Sequence, residues 1–557
     1  MDRLPGEILH KIFIHLPIIQ KQEFMLVCRQ WKEVISTRSL FHTMNCSYTK
    51  SCVDFIEMIK KSPSIGAQVQ NLKLHGDFEE SDHLLSLIPP SLQLYPDTII
   101  KQILSLFINL REIEFNSLCP SALEDHDFSK TYKIVPLPSK IQSICEYGTA
   151  IMTCSLAVSG LCSRLVSLRL HMMRFVSKTD PDVLCSLLRD MPILEYLEIW
   201  NQLVTPKHCE ILHTNIPSLK SFSLHCIEHG GKDIVHENIE PLSSITNLLL
   251  QVSISKSKNI SIWFRYIDKK YPNLQHFHFG NSYSTHGYEP EVLRQDWSSH
   301  LTSLDLTFIY FSSSLFHLLD RSGCKIKNLK LRGTTMELIN ALVRSKQRRY
   351  VEMLNIGMEY ACSFEWLRKL KKLRDLSLGM DSQYRAKASS IFQFCPKTVE
   401  SVDIKEYQVK FDIEAMPKSL SIKNLVLDHN NKDLRMVSFI ADCFPYLESL
   451  SIRKIFNGSE IYEFPNHHFS YLNLDTYGFS GFNLAITTLN DNVTRLYHLP
   501  GQRSYVGQQK YENYIASVPR AKMADGNCIK LVCGSVKDVV FAHSYLSFIE
   551  NNEILPI

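Results

Sequence analysis

From about Leu165 onward, apolar residues recur in a six-residue figure, apolar-x-x-apolar-x-apolar, separated by more polar stretches. The units are LVSLRL ending at Leu170, LEYLEI at Ile199, LKSFSL at Leu224, ITNLLL at Leu250, LQHFHF at Phe279, LTSLDL at Leu306 and IKNLKL at Leu331. VEMLNI at Ile356, LRDLSL at Leu378, VESVDI at Ile404, IKNLVL at Leu427, LESLSI at Ile452 and FSYLNL at Leu474 continue the series. These thirteen units have a mean period of about 25 residues. Within each, alternation of apolar and polar positions is the mark of a strand with one buried face. Proline precedes several units, in MPILEYL, IPSLKSF, YPNLQHF, CPKTVESV and FPYLESL, where it marks the end of the preceding helix. Helices are predicted between strands, for example over residues 182–189 and 336–344. One strand and one helical return per period predicts an α/β solenoid, a horseshoe with one continuous parallel sheet, over residues 165–480. VQNLKL, ending at Leu74, and LREIEF, ending at Phe115, fit the figure at longer steps, so residues 45–164 read as irregular first repeats with insertions. After Leu474 the period fades, and residues 481–557, with apolar runs at Leu531 to Cys533 and Val539 to Phe541, are predicted to form a C-terminal cap.

The first 44 residues follow a different, helical pattern. Leu4-Pro5 with Glu7 behind it is a helix-start signal, and Pro17 ends the helix at about Leu16. Leu9, Phe13 and Leu16 form one stripe, Ile8 and Ile12 a second beside it. A second helix over roughly 21–36, with Phe24, Val27, Cys28, Trp31 and Val34, covers one stripe and leaves the other exposed. A segment this short does not support a core alone, so its spare apolar face predicts a partner. L-P-x-E-I-L-x-x-I-F-x-x-L-P, then V-C-x-x-W and L-F, resembles the F-box over Leu4 to Phe41. The resemblance implies binding to the Skp adaptor, and through it to a cullin, by Leu4, Pro5, Leu9, Ile12, Phe13, Leu16, Val27, Cys28 and Trp31. Lys21 and Gln22 depart from the family, which usually has two aliphatic residues there; the departure either weakens adaptor binding or lengthens the turn. The alternative is a helical hairpin packed on its own solenoid.

The repeat period lies in the leucine-rich-repeat range of about 20–29 residues. Both modules and their order resemble the F-box leucine-rich-repeat proteins, substrate receptors of SCF-type ubiquitin ligases. The repeats depart from the commonest pattern, since Asn or Cys seldom follows the strand. In each unit the apolar residues point into the core and the intervening ones onto the concave face. There Arg169, His171, Glu198, Trp200, His225, His276 and His278 are the unusual side chains. Trp200 among polar groups has the form of a binding hot spot; the alternative is that it packs on an insertion or a neighbouring strand. Lys330 and Arg332 share one strand and suit an acidic or phosphorylated segment, or form a solvated basic face. KQRR at Lys346 to Arg349 reads as a nuclear-import signal or as the basic end of a helix.

Composition narrows the function. A formal net charge of +4 over 557 residues, from 61 basic and 57 acidic side chains, implies neither a nucleic-acid nor a membrane partner. Sixteen cysteines without a C-x-x-C pair read as reduced core residues. The histidines have no fixed ligand spacing, so no metal is expected. No signal peptide or membrane span fits, which places the protein in the cytoplasm or nucleus. G-x-G-x-x-G, Walker, H-E-x-x-H and G-x-S-x-G motifs are lacking, so neither catalysis nor a cofactor is expected. The expected function is a non-catalytic substrate receptor with a target protein on the repeats. The alternatives are an adaptor-bound scaffold without a ubiquitination role, and a sensor with a ligand in the solenoid.

Overall fold

The computed structural model describes residues 4–47 (save 15 and 17), 57–75, 105–116, 140–148, 160–172, 188–202, 204–227, 239–253, 257–285, 299–309, 313–358, 363–380, 385–405, 408–410, 420–428, 442–455, 460–476, 482–490, 493–499, 528–541 and 544–547, with a few isolated positions between. The chain forms two compact units, Met1–Leu274 and Gln275–Ile557.

The first unit opens with helices α1 (Gly6–Phe13), α2 (Ile18–Phe24) and α3 (Arg29–Val34), followed by a π-helical turn, Ile35–Ser39. Leu9, Phe13, Trp31, Val34 and Ile35 make its core, and Leu4, Leu16, Phe24, Met25, Cys28 and Leu40 pack around them. The Trp31 ring meets Phe13 and Phe24 edge-on at 5.2 and 5.5 Å, a favoured aromatic geometry. The second helix predicted over 21–36 is broken in two. Cys28 takes an extended conformation at the start of α3 and its sulfur accepts from the Trp31 amide, so the chain turns where periodicity continues.

Eight parallel strands then follow in register: β1 (Thr43–Ser47), β2 (Asn71–His75), β3 (Glu112–Asn116), β4 (Ser143–Gly148), β5 (Ser167–Met172), β6 (Tyr196–Gln202), β7 (Ser221–Ile227) and β8 (Asn247–Ser253). Their apolar residues alternate into the core as the pattern requires, Leu168 and Leu170 beside Leu197 and Ile199, then Phe222 and Leu224. Helices α4 (Pro206–Asn215) and α5 (Ser257–Lys270) lie between strands. Only part of the helix predicted over 182–189 falls within the described residues, where Leu188–Asp190 is a single 3-10 turn.

The second unit repeats the plan with β9 (His276–Thr285), β10 (Ser303–Ile309), β11 (Asn328–Thr334), β12 (Met353–Met358) and β13 (Asp375–Met380). The short β14 (Arg385–Lys387) pairs outside the main sheet with β16 (Gln408–Lys410), while β15 (Ser401–Lys405), β17 (Asn424–Asp428), β18 (Ser449–Ile455) and β19 (Glu460–Thr476) continue it. Helix α6 (Ser314–Arg321) ends at Gly323, whose positive φ of 72° a residue with a side chain adopts only under strain. Helix α7 (Met336–Arg344) covers the predicted 336–344, and the KQRR run is a 3-10 turn, Lys346–Arg349, whose Arg348 donates to the Val343 carbonyl. Beyond β19 the sheet gains β20 (Phe482–Thr488), β21 (Val493–Leu499), β22 (Cys528–Phe541) and β23 (Ser544–Ser547). Strand β22, which contains both apolar runs predicted for the cap, lies along β19 and covers that edge.

This is the leucine-rich-repeat fold, an α/β stack of parallel strands behind an N-terminal helical module. Among the described residues, its repeats are stitched at the start of the strands. Two successive amides donate to one carbonyl of the preceding repeat, as Glu195 and Tyr196 do to Val166 and Arg374 and Asp375 do to Glu352. Hydroxyl and amide side chains add a second row of bonds: Ser218 to Leu194, Asn273 to Ser243, Thr398 to Leu373 and Ser470 to Glu448. These satisfy further backbone acceptors ahead of the strands.

Candidate functional site

Two surfaces stand out. On the helical module, Ile8 and Ile12 lie one turn apart on α1 and are exposed, as are Leu26 and Val27 in the turn between α2 and α3. Leu9, Phe13 and Trp31, expected to bind the adaptor, are instead buried in the module's own core. They hold the three helices together; of the other residues expected to bind the adaptor, Pro5, Ile12 and Val27 are exposed, while Leu4, Leu16 and Cys28 are half-buried. Lys21 turns inward. Its ammonium donates to the carbonyls of Ile14 at 3.5 Å and Ser39 at 3.1 Å, and burial lowers its pKa. Ile14 caps the end of α1, so the lysine closes exposed carbonyls at a helix C-terminus, where a cation is favoured. Ser39 also meets the His10 ring at 2.8 Å.

The second surface lies on the concave side of the first unit. Strand register sets Tyr147, His171, Trp200, His225 and Gln251 side by side on β4 to β8. Their rings form a ladder, with centroids 4.7 Å apart for Tyr147 and His171, 5.0 Å for His171 and Trp200, and 3.6 Å for Trp200 and His225. The first two spacings match the roughly 4.8 Å between strands, and the Trp200 ring lies near parallel to His171 and His225, at 17° and 12°, while Tyr147 is tilted by 38° on His171, so the three stacked rings stand upright with their edges toward the concave side. Both faces of Trp200 are occupied by histidine rings, so it packs on neighbouring strands and is not free to enter a partner's pocket. His225 continues the row by a 2.8 Å hydrogen bond with Gln251.

Glu198 ties this ladder to the next column. It accepts from the Tyr196 hydroxyl and the Trp200 indole N–H, each at 2.6 Å, with the His171 ring at 3.5 Å and the Arg169 guanidinium at 3.7 Å. Burial pushes its pKa up, but the two hydrogen bonds and the two neighbouring bases outweigh this and hold it below the usual carboxylate value. Burial lowers the pKa of His171 against the opposing pull of Glu198. Tyr196 is pushed up to about 12 by burial and by its bond to Glu198. The Arg169 guanidinium lies 5.2 Å from the centre of the Tyr196 ring.

His276, His278, Lys330 and Arg332 belong to the second unit. Asp305 bridges His278 at 2.8 Å and Lys330 at 2.6 Å; Arg332 is exposed beside Gly357, and His276 is exposed at the start of β9.

A search of protein families matches residues 1–47 to the F-box-like family. The N-terminal module is an F-box-like domain. The F-box-like domain is followed by repeats whose solved structural neighbours include a chain from the "Crystal structure of TLR13-ssRNA13 complex". That chain is 14% identical, with 75% of this chain and 76% of that one covered, at a TM-score of 0.27. No curated protein sequence matches.

Five residues singled out on the concave side, Arg169, His171, Glu198, Trp200 and His225, come together in one cluster. Tyr147, Tyr196 and Gln251 belong to it too. Tyr196 and Gln251 lie in or directly beside repeat units, but only strand pairing shows which neighbours they meet. Tyr147 escaped because its strand breaks the pattern: Glu146 stands where the other units have their third apolar residue. The carboxylate is fully buried and accepts from the Thr153 amide and hydroxyl at 2.8 and 2.7 Å.

Proposed function

We propose that the protein is the substrate-recognition subunit of an SCF-type ubiquitin ligase. The F-box-like domain binds the Skp adaptor and through it a cullin, while the concave face of the repeats holds a target protein. The observation that carries this reading is the pair of exposed apolar groups, Ile8 with Ile12 and Leu26 with Val27, on a domain whose own core is already filled. Apolar side chains left outside a complete core need a partner to cover them, and their burial contributes about 1.5–3 kcal/mol each before the costs of association. The subunit's contribution to ubiquitin transfer is proximity rather than chemistry. The reading places the protein in the cytoplasm or nucleus.

The test is co-purification of the full chain with the Skp adaptor, beside an Ile8→Ser, Ile12→Ser variant. Wild type should capture adaptor and the variant should lose roughly 10–100-fold in affinity, about 1.4–2.8 kcal/mol, with an unchanged circular dichroism spectrum. Failure of the folded wild type to bind adaptor would reject the reading. Capture of adaptor without recruitment of cullin would favour a scaffold role instead.

A further inference from the structure

The ion pairs on the concave face expose the cation more than the carboxylate. In the first unit the Arg169 side chain is 52% exposed above Glu198 at 13%, and Lys73 is 44% exposed above Glu114 at 20%. In the second unit Lys330 stands above Asp305 and Lys405 above Asp403 in the same way. At the strand-start edge the sense varies: Lys327 is 57% exposed against 36% for Glu352, Lys220 59% against 44% for Glu195, and for Lys423 with Glu400 it reverses slightly. The concave pairs raise the cation and sink the carboxylate.

The hydrogen bonds explain why. Glu198 is held down against the sheet by Tyr196 and Trp200, so most of its acceptor capacity is used below the surface. Arg169 reaches it only through Nε, at 3.7 Å, and its guanidinium projects over the Tyr196 ring. Beside it run the upright edges of His171, Trp200 and His225. A partner approaching this face therefore meets a guanidinium and an ammonium, both of which favour negative groups.

We infer that the concave face of the first unit docks an acidic segment of its partner protein, with Arg169 as the central contact and Lys73 as a second. The inference rests on the reading of that face as the target-binding surface. Lys73 on β2 and Arg169 on β5 are three strands apart. That separation is about 14 Å, the span of roughly four extended residues, so two acidic residues at that spacing in the segment reach both cations.

Selection from a display library of random twelve-residue peptides on the full-length protein tests this. Wild type should enrich peptides rich in Asp and Glu, with binding weakened by salt. Arg169→Gln should weaken the selected peptides about tenfold, as for one lost charge-assisted contact, and Lys220→Gln at the strand-start edge should not. An Arg169→Gln, Glu198→Gln variant guards against mere unmasking of Glu198: it should stay weak, and restored binding would overturn the inference. Enrichment without acidic bias that is still lost in Arg169→Gln overturns the charge assignment but keeps the docking face. No enrichment, or enrichment indifferent to Arg169, overturns both, while adaptor capture by the F-box-like domain reports separately on the rest of the proposed function.

Discussion

Phe13 and Ile12 are adjacent in sequence and both occupy F-box motif positions, yet replacing each should have opposite consequences. Phe13 is 1% exposed and packs its ring against Trp31 at 5.2 Å and Phe24 at 6.1 Å; Ile12 is 45% exposed. Phe13→Ala removes most of a large side chain from a core of five buried residues. Large-to-small changes of this kind cost about 3–5 kcal/mol, a sum comparable to the stability that so small a module has. The F-box-like domain of that variant should open locally while the repeats stay folded. Ile12→Ala strips a surface side chain and should change stability by less than about 0.5 kcal/mol. Because the chain has two compact units, global melting does not isolate the module. Amide hydrogen exchange over residues 6–13 and 29–39 resolves the module by itself: Phe13→Ala should raise exchange there a hundredfold or more, about 2.7 kcal/mol, and Ile12→Ala should leave it near wild type. Adaptor capture should fall in both, for different reasons. Equal protection in the two variants would refute the assignment of Phe13 to the core and Ile12 to the surface.

Three other outcomes follow from buried polar groups. His213 is enclosed beside Tyr271, 2.7 Å from its hydroxyl, and burial, aided by Lys270, pushes its pKa down to about 3. An unfolded chain binds a proton near pH 6.5 that the folded unit refuses, so stability falls as pH drops from about 6.5 toward 3, by at most about 5 kcal/mol; His213→Gln should flatten that slope in denaturation of the first unit. Glu146→Ala leaves the Thr153 amide and hydroxyl without their acceptor and should destabilise the first unit by about 2–4 kcal/mol, whereas Glu146→Gln, which keeps an acceptor oxygen, should cost less; equal losses would mean that charge, not acceptance, matters. Lys21→Ala frees the Ile14 and Ser39 carbonyls and should cost about 1–3 kcal/mol, seen as faster exchange at the end of α1, and unchanged exchange would mean the lysine contributes nothing to closing the module.

Much of the repeat fold was legible because its signal is periodic and redundant. Each apolar-x-x-apolar-x-apolar unit needs only itself to mark a strand with one buried face, and thirteen of them set the stacking order. Strands β1 and β4 were harder to see. In β1 the figure runs Phe41, Met44 and Cys46 straight out of the helical module, and in β4 Glu146 replaces an apolar residue. A carboxylate occupies that core position with two donors from Thr153, seven residues further along the chain and part of no repeat unit.

The sequence by itself determined the order of modules, most of the strand positions and, in the regular units, which side chains face away from the core, since all of these follow from local alternation of apolar and polar residues. Only the tertiary structure decided what those side chains do. Lys21 looked like a lost apolar contact, but two carbonyls brought near by chain folding make it a clamp. Trp200 looked exposed, but register places histidine rings against both of its faces. Leu9, Phe13 and Trp31 carried the family motif, and packing of three short helices turned them inward, leaving Ile8, Ile12, Leu26 and Val27 outside. Periodicity says that a residue is apolar or polar; whether it meets core, neighbour or partner depends on contacts between segments far apart in the chain.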